Sequence, residues 1–252
     1  MRYRDKIVLI SGAAGGFGRA AARAFQAEGA RLALTDLDLS RLERTAAEDG
    51  LEADGLALTA GDVRAPETAA AWVASAEARF GRIDVAINNA GVLHAPHPLA
   101  EIDRAAFEQA LAVNVGGPFH GLQAQVPALR RAGGGVILNV ASIAGLLGAP
   151  TLGAYAAAKH AVVGLTRTAA VELARDGVRV NALCPAFADT PMLTDLVAAG
   201  SAPPPEKLTA RIPLRRLARP EEIAEAMLWL CSDANSFMTG QTIALDGGLS
   251  AM

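Results

Sequence analysis

Residues 6–18 read Lys6-Ile7-Val8-Leu9-Ile10-Ser11-Gly12-Ala13-Ala14-Gly15-Gly16-Phe17-Gly18. The first six are an apolar run of strand length, and residues 16–29 follow with helical periodicity. Between them lies a turn rich in glycine. Glycines there let the turn be tight and let backbone approach a pyrophosphate, while the amides and dipole at the start of the helix stabilise its charge. Glycine is common in turns for steric reasons alone. The weight comes from its place between a first strand and a first helix.

The same alternation runs outward along the chain. Strand candidates fall at 6–11, 31–36, 55–60, 84–88, 135–141, 177–183 and 241–245. Their near-continuous apolar character, as in Val136-Ile137-Leu138-Asn139-Val140, suits strands buried on both faces. Helical segments fill 16–29, 39–49, 65–79, 103–130, 151–174 and 219–231, and Gly29, Gly50, Gly81 and Gly177 punctuate them. The expected fold is therefore α/β: a doubly wound Rossmann-type sheet, mainly parallel, with helices on both faces. One such sheet uses all 252 residues, so residues 1–252 read as a single nucleotide-binding domain.

Composition excludes several other classes. Hydrophobic residues make up 52% and charged residues 19%, which is incompatible with a disordered chain. A net charge of −3 carries no footprint for nucleic acid or an anionic membrane. The two cysteines, Cys184 and Cys231, form neither a disulfide framework nor a metal-ligand spacing, so no metal is expected. With no apolar run long enough for a leader or a membrane helix, the expected location is the cytoplasm.

Asp36 ends the second strand at the distance, roughly 20 residues past the loop, where an acid binds a ribose 2′-hydroxyl. A carboxylate there repels a 2′-phosphate, and the glycine loop has no basic residue to offset it. The expected cofactor is NAD rather than NADP. Asp62-Val63 follows the third strand, where an adenine edge would lie, although a turn or capping role fits Asp62 equally. Asn88-Asn89-Ala90-Gly91 follows the fourth strand, on the rim where such folds bind ligands.

Only three of the 23 basic residues are lysines, and there are only two tyrosines. One lysine, Lys159, stands one helical turn after one tyrosine, Tyr155, so the two share a face. A free phenol near pKa ~10 is a poor proton shuttle at neutral pH, and a nearby ammonium favours the phenolate. Taken alone, the pair reads as an ordinary surface contact. Ser142, at the end of the fifth strand, can hold the same substrate oxygen that Tyr155 protonates. Asn114, in the fourth helical segment, can hold a water that links Lys159 to solvent. Together with a dinucleotide loop, these four point to hydride transfer with tyrosine as acid/base.

The chain thus resembles the short-chain dehydrogenase/reductase family over essentially its whole length. The resemblance rests on Gly12, Gly16 and Gly18, on Asn88-Asn89-Ala90-Gly91, and on Asn114, Ser142, Tyr155 and Lys159. It implies a seven-stranded sheet, NAD(P)-dependent alcohol/carbonyl chemistry and a homotetramer. It also implies cofactor contacts from Ser11, Gly12, Gly16, Phe17, Gly18, Asn89, Ala90, Gly91, Tyr155, Lys159, Pro185 and Thr190, and a lid near 188–212. Ser11 and Phe17 depart from the family's threonine and small aliphatic. Ala186 stands at a usual glycine, where a positive φ would be strained.

The substrate side is less defined. His94, Ala144, Leu152, Phe187 and Met192 are expected to line it, although core packing explains the apolar ones as well. His97, His120, His160 and Cys184 read as loop or packing residues. The reading is an NAD-dependent oxidoreductase interconverting a secondary alcohol and a ketone. Its rivals are a 3-oxoacyl thioester reductase, which would use NADPH and an acyl-carrier thioester, a non-catalytic NAD-binding sensor, and a Rossmann-type methyltransferase. The last two have no need of Tyr155 and Lys159 together.

Overall fold

In the computed structural model, which describes residues 1–198, 200 and 203–252, the apolar runs become seven strands. These are β1 (Ile7–Ser11), β2 (Arg31–Asp36), β3 (Leu56–Ala60), β4 (Val85–Asn88), β5 (Gly135–Val140), β6 (Val178–Pro185) and β7 (Thr242–Leu245). They form one sheet in the order β3-β2-β1-β4-β5-β6-β7, and every pairing is parallel. The expectation of a mainly parallel sheet is thereby sharpened to an entirely parallel one.

Alternation along each strand divides the core in two. Val8 and Ile10 of β1, Val85 and Ile87 of β4 and Val136 and Leu138 of β5 face one side. They pack under α1 (Gly16–Ala27) and α9 (Pro220–Cys231). Ile7 and Leu9, Ala86 and Ile137 face the other side. There they meet α3 (Pro66–Phe80), α5 (Gly117–Ala132) and α6 (Gly153–Leu173). Two buried faces explain why these strands read as continuous rather than alternating hydrophobic runs.

The second core carries a polar insert. Gln125 of α5 donates to Asn88 Oδ1 at 2.8 Å, Asn88 donates to Asn139 Oδ1 at 2.9 Å, and Asn139 donates to Thr166 Oγ1 at 2.9 Å. Thr166 closes the chain on the carbonyl of Val162. All four side chains are buried, so each group needs its partner. The chain of bonds runs from α5 through β4 and β5 to α6.

Three local readings are revised. The helix expected over 103–130 is two helices, α4 (Arg104–Leu111) and α5, joined by a π-turn at Ala112–Gly116 that carries Asn114. The segment expected as a lid contains α7 (Pro191–Ala198) and α8 (Pro205–Thr209), which the proline-rich run had hidden. Residues 199, 201 and 202 of it lie outside the described residues. Ala186 does not adopt a positive φ, so the strain expected there does not arise. Among the described residues, no helix is long and apolar enough to cross a membrane.

The buried chain makes a stability prediction. Thr166→Val keeps the volume but leaves Asn139 Nδ2 without an acceptor, and should cost about 1–3 kcal/mol in urea unfolding. An unchanged midpoint and slope would show that the network contributes nothing net.

Candidate active site

β2 and β3 lie to one side of β1 and β4 lies to the other, so the chain leaves the ends of β1 and β4 in opposite directions. A crevice opens there, outside the carboxyl ends of the strands. Ser11 forms its floor: its Oγ accepts the amides of Asn89 at 3.0 Å and Ala90 at 3.1 Å. The Asn89 amide in turn donates to the carbonyls of Ser11 and Gly12. The hydroxyl that Ser11 shares with threonine is the group that matters.

Above the floor, the glycine loop folds back on itself. Gly12 has a φ of +63°, and a Cβ on Gly18 would lie 2.2 Å from the Gly12 carbonyl. No side chain fits between turn and helix at that point. The first turn of α1 has no side-chain cap, so its leading amides point outward without a protein acceptor. Thr190 reaches the same loop: a Cβ on Gly16 would come within 2.9 Å of its methyl. Phe17 packs against the core beneath, so that departure changes the packing under the loop.

Asp36 stands at the open end of the loop. Its Oδ2 accepts the Ala14 amide at 2.9 Å and its Oδ1 accepts the Leu37 amide at 2.9 Å. Each oxygen retains capacity for a further donor. Bare glycine backbone, an uncapped helix start and a half-used carboxylate together fit a dinucleotide. Asp38, by contrast, caps α2 (Leu39–Glu48) through the Arg41 amide. Asp62 is bound to the amide and guanidinium of Arg64, which holds its carboxyl below the usual range. The turn role therefore describes what Asp62 does here. Val63 packs near Gly117, and its carbonyl meets His120 Nδ1 at 3.2 Å.

The remaining residues gather beyond β4 and β5. Asn114 is fully buried: its Oδ1 accepts the Val92 amide, and its Nδ2 donates to the carbonyls of Val92 and Ala110. It thus ties the π-turn to the loop segment following Gly91. A Cβ on Gly91 would lie 2.8 Å from Asn114 Oδ1 and 3.4 Å from Lys159 Nζ, so glycine keeps that space open. Lys159, only 4% exposed, donates to the Val140 carbonyl at 2.9 Å. Its ammonium stands 5.6 Å from the centre of the Tyr155 ring. Ser142 Oγ accepts the Ala144 amide at 3.2 Å.

The electrostatics correct one expectation. Burial raises the Tyr155 phenol above its ordinary pKa, and the nearby Ser142 hydroxyl offsets this only in part. Burial also draws Lys159 down to about 8. Desolvation of both groups outweighs the anticipated lowering of the phenol. Cys184, fully buried between these elements, is pushed up to about 11, as expected of a packing thiol.

Among the substrate-side residues, Ala144 is buried, Leu152 and Phe187 are half-buried and Met192 is 48% exposed on α7. Pro185 ends β6 and is buried. His94 is buried, with Nδ1 against the Ala95 carbonyl at 2.7 Å and, among the described residues, no partner for Nε2. His97 and His160 are exposed. Arg41, which sequence reasoning passed over, extends its guanidinium from α2 to the Ala14 carbonyl. A cavity of about 660 Å³ lies at the opposite end of the strands, lined by Lys6, Arg82, Gly134 and Arg179. Asp233, Asp84 and backbone carbonyls hold its cations, and none of the residues above line it. Among the described residues, no cluster could hold a metal ion.

A family model described as enoyl-(acyl carrier protein) reductase matches residues 12–250. The chain is 40% identical to 2,5-dichloro-2,5-cyclohexadiene-1,4-diol dehydrogenase of Sphingobium indicum, over 98% of each chain. It is 38% identical to cis-4-hydroxycyclohexanecarboxylate dehydrogenase of Sinomonas cyclohexanicum, over 99% of this chain and 98% of that one. A crystal structure of 3-ketoacyl-(acyl-carrier-protein) reductase from Brucella melitensis with NADH superposes with a TM-score of 0.90. Its identity is 35%, over 98% of this chain and 99% of that chain. With the crevice, the glycine loop and the Ser142–Tyr155–Lys159 cluster in place, the chain belongs to the short-chain dehydrogenase/reductase family.

Proposed function

We propose that this protein is an NAD-dependent dehydrogenase that interconverts a secondary alcohol and a ketone. The relatives named for oxidation of ring alcohols support that substrate class. The observation that carries the mechanism is a buried ammonium 5.6 Å from the centre of the Tyr155 ring, beside a serine hydroxyl, at the crevice end of the sheet. Bound nicotinamide supplies or accepts the hydride. Gly12, Gly16, Phe17 and Gly18 would cradle its diphosphate, Asp36 its adenosine ribose, and Asn89, Ala90, Gly91, Pro185 and Thr190 the inner half. Asp62 and Val63 border the adenine side.

Tyr155 moves the proton. With its pKa raised, the phenol is protonated at neutral pH and can donate to a ketone oxygen. Ser142 holds that oxygen. In the reverse direction the phenolate accepts the alcohol proton, and Lys159 provides the counter-charge. Asn114 fixes the backbone around Lys159 and borders the route by which a water-borne proton reaches it. His94, Ala144, Leu152, Phe187 and Met192 face the substrate in this reading. The cytoplasm and a homotetramer complete it. Phe119, 44% exposed on α5, and Val171, 81% exposed on α6, supply apolar surface for subunit contact.

The 3-oxoacyl thioester reading is favoured by one observation, the fit to the NADH-bound ketoacyl reductase. A panel of cyclic and acyclic secondary alcohols, run with NAD and NADP beside an acetoacetyl thioester, separates the two. Turnover of ring alcohols with NAD is expected; thioester reduction with NADPH alone overturns the proposal. Tyr155→Phe should lower kcat by about 10³-fold while NADH affinity by fluorescence titration changes less than about threefold. Retained turnover removes Tyr155 from the mechanism.

Lys159 adds a pH dependence. Its folded pKa of about 8 lies below its unfolded value of ~10.4, so the unfolded chain holds more protons between these limits. That term costs stability fully below pH ~8 and is relieved as pH rises toward ~10, by about 3 kcal/mol in all. The difference in unfolding free energy between wild type and Lys159→Met should shift in favour of the wild type over that range. A pH-independent difference would show that Lys159 is not titrating in the folded state.

A further inference from the structure

We propose that Arg41 is a second reader of the adenosine ribose, set opposite Asp36, so that rejection of a 2′-phosphate depends on the Asp36 carboxylate. The inference rests on the NAD reading above and specifies how that preference arises.

Both side chains meet the glycine loop at one residue. Asp36 Oδ2 accepts the Ala14 amide at 2.9 Å, and Arg41 Nη2 donates to the Ala14 carbonyl at 3.3 Å. An anion and a cation therefore flank the mouth of the loop where the ribose would enter. Arg41 is not placed there by chance of a flexible chain. Its own amide donates to Asp38 Oδ1 at 3.1 Å, and that carboxylate is further held by the Ser40 hydroxyl at 2.7 Å, which fixes the first turn of α2. Both bonds fall on Oδ1 of Asp38 and hold that carboxylate at the helix start.

The guanidinium is otherwise uncommitted. Its hydrogen bond to Ala14 is long and uses one of five donors. Among the described residues it forms no ion pair, whereas neighbouring Arg44 faces Glu48 at 4.0 Å. An exposed arginine with one long bond to a carbonyl contributes little to folding. A fork of free donors beside the ribose site is, however, what a phosphate ester requires. With Asp36 present, a 2′-phosphate meets a carboxylate already close to the loop, and repulsion opposes Arg41. With the Asp36 carboxylate gone, the charge directly opposing Arg41 at Ala14 is removed. Specificity here comes from a repulsive group placed over an attractive one.

The probes are 5′-AMP and 2′,5′-ADP, which carry no nicotinamide, measured by calorimetry at low and high salt. Wild type should bind 5′-AMP more tightly. Asp36→Ser should tighten 2′,5′-ADP by about tenfold or more, and Arg41→Leu in that background should reverse about tenfold of it. The gain should shrink with salt, because it is charge-based. Asp36→Asn, nearly isosteric, repeats the measurement if the serine variant is unstable. The proposal is overturned if the double variant binds 2′,5′-ADP as tightly as the single one, or if neither Asp36 variant gains affinity. A wild type that prefers 2′,5′-ADP overturns both the Asp36 part and the NAD reading. The loss on Arg41→Leu alone then still decides whether Arg41 reads the phosphate.

Discussion

Everything at the active end of the molecule rests on the junction between β1 and β4. In a parallel sheet all strands deliver their chain to the same rim, and here two neighbours send it to opposite faces. The groups left at the bottom of that split are backbone amides and carbonyls, which cannot go unpaired when water is removed. One hydroxyl, Ser11 Oγ, takes the amides of Asn89 and Ala90, and the Asn89 side chain returns two bonds to Ser11 and Gly12. The glycine loop stands on one side of this junction and Gly91 on the other. Gly91 in turn keeps open the space between Asn114 and Lys159. The glycine loop and the Asn114–Lys159 cluster therefore share a floor.

The cluster itself is costly. Lys159 is nearly buried with, among the described residues, only the Val140 carbonyl as its hydrogen-bond acceptor, and Tyr155 is held above its ordinary pKa. A chain that places many of its arginines on the surface, in pairs such as Arg130–Asp176 and Arg131–Glu77, places a compact ammonium in this nearly buried position. Such groups lower stability at the place where chemistry needs them. The surroundings offset this with satisfied bonds: the π-turn brings Asn114 to Val92, and the buried Gln125–Asn88–Asn139–Thr166 chain ties the helix of Tyr155 to the sheet.

Much of this was legible in the letters. Runs such as Val136 to Val140 announce strands covered on both sides, and Gly12 to Gly18 announces the first crossover. The four residues Asn114, Ser142, Tyr155 and Lys159 do come to one end of the sheet. The π-turn was not legible, because Ala112 to Gly116 continue a helical pattern and only the pull of Val92 on Asn114 shows the extra residue. Asp62 looked equally like a ligand and a turn former; its bonds to Arg64 are a three-dimensional fact. Arg41 escaped notice because its partner Ala14 lies far back in the chain.

Sequence alone determined the seven strands and their order along the chain, the parallel sheet, the loop and the sharing of one helical face by Tyr155 and Lys159. These follow from periodicity and backbone sterics, which act over a few neighbouring residues. Tertiary structure decided which way the phenol's pKa moves, which acid meets the glycine loop and which arginine reaches the same residue of it. Desolvation and hydrogen-bond distance depend on segments distant in the chain being packed together, and no local pattern of side chains encodes them.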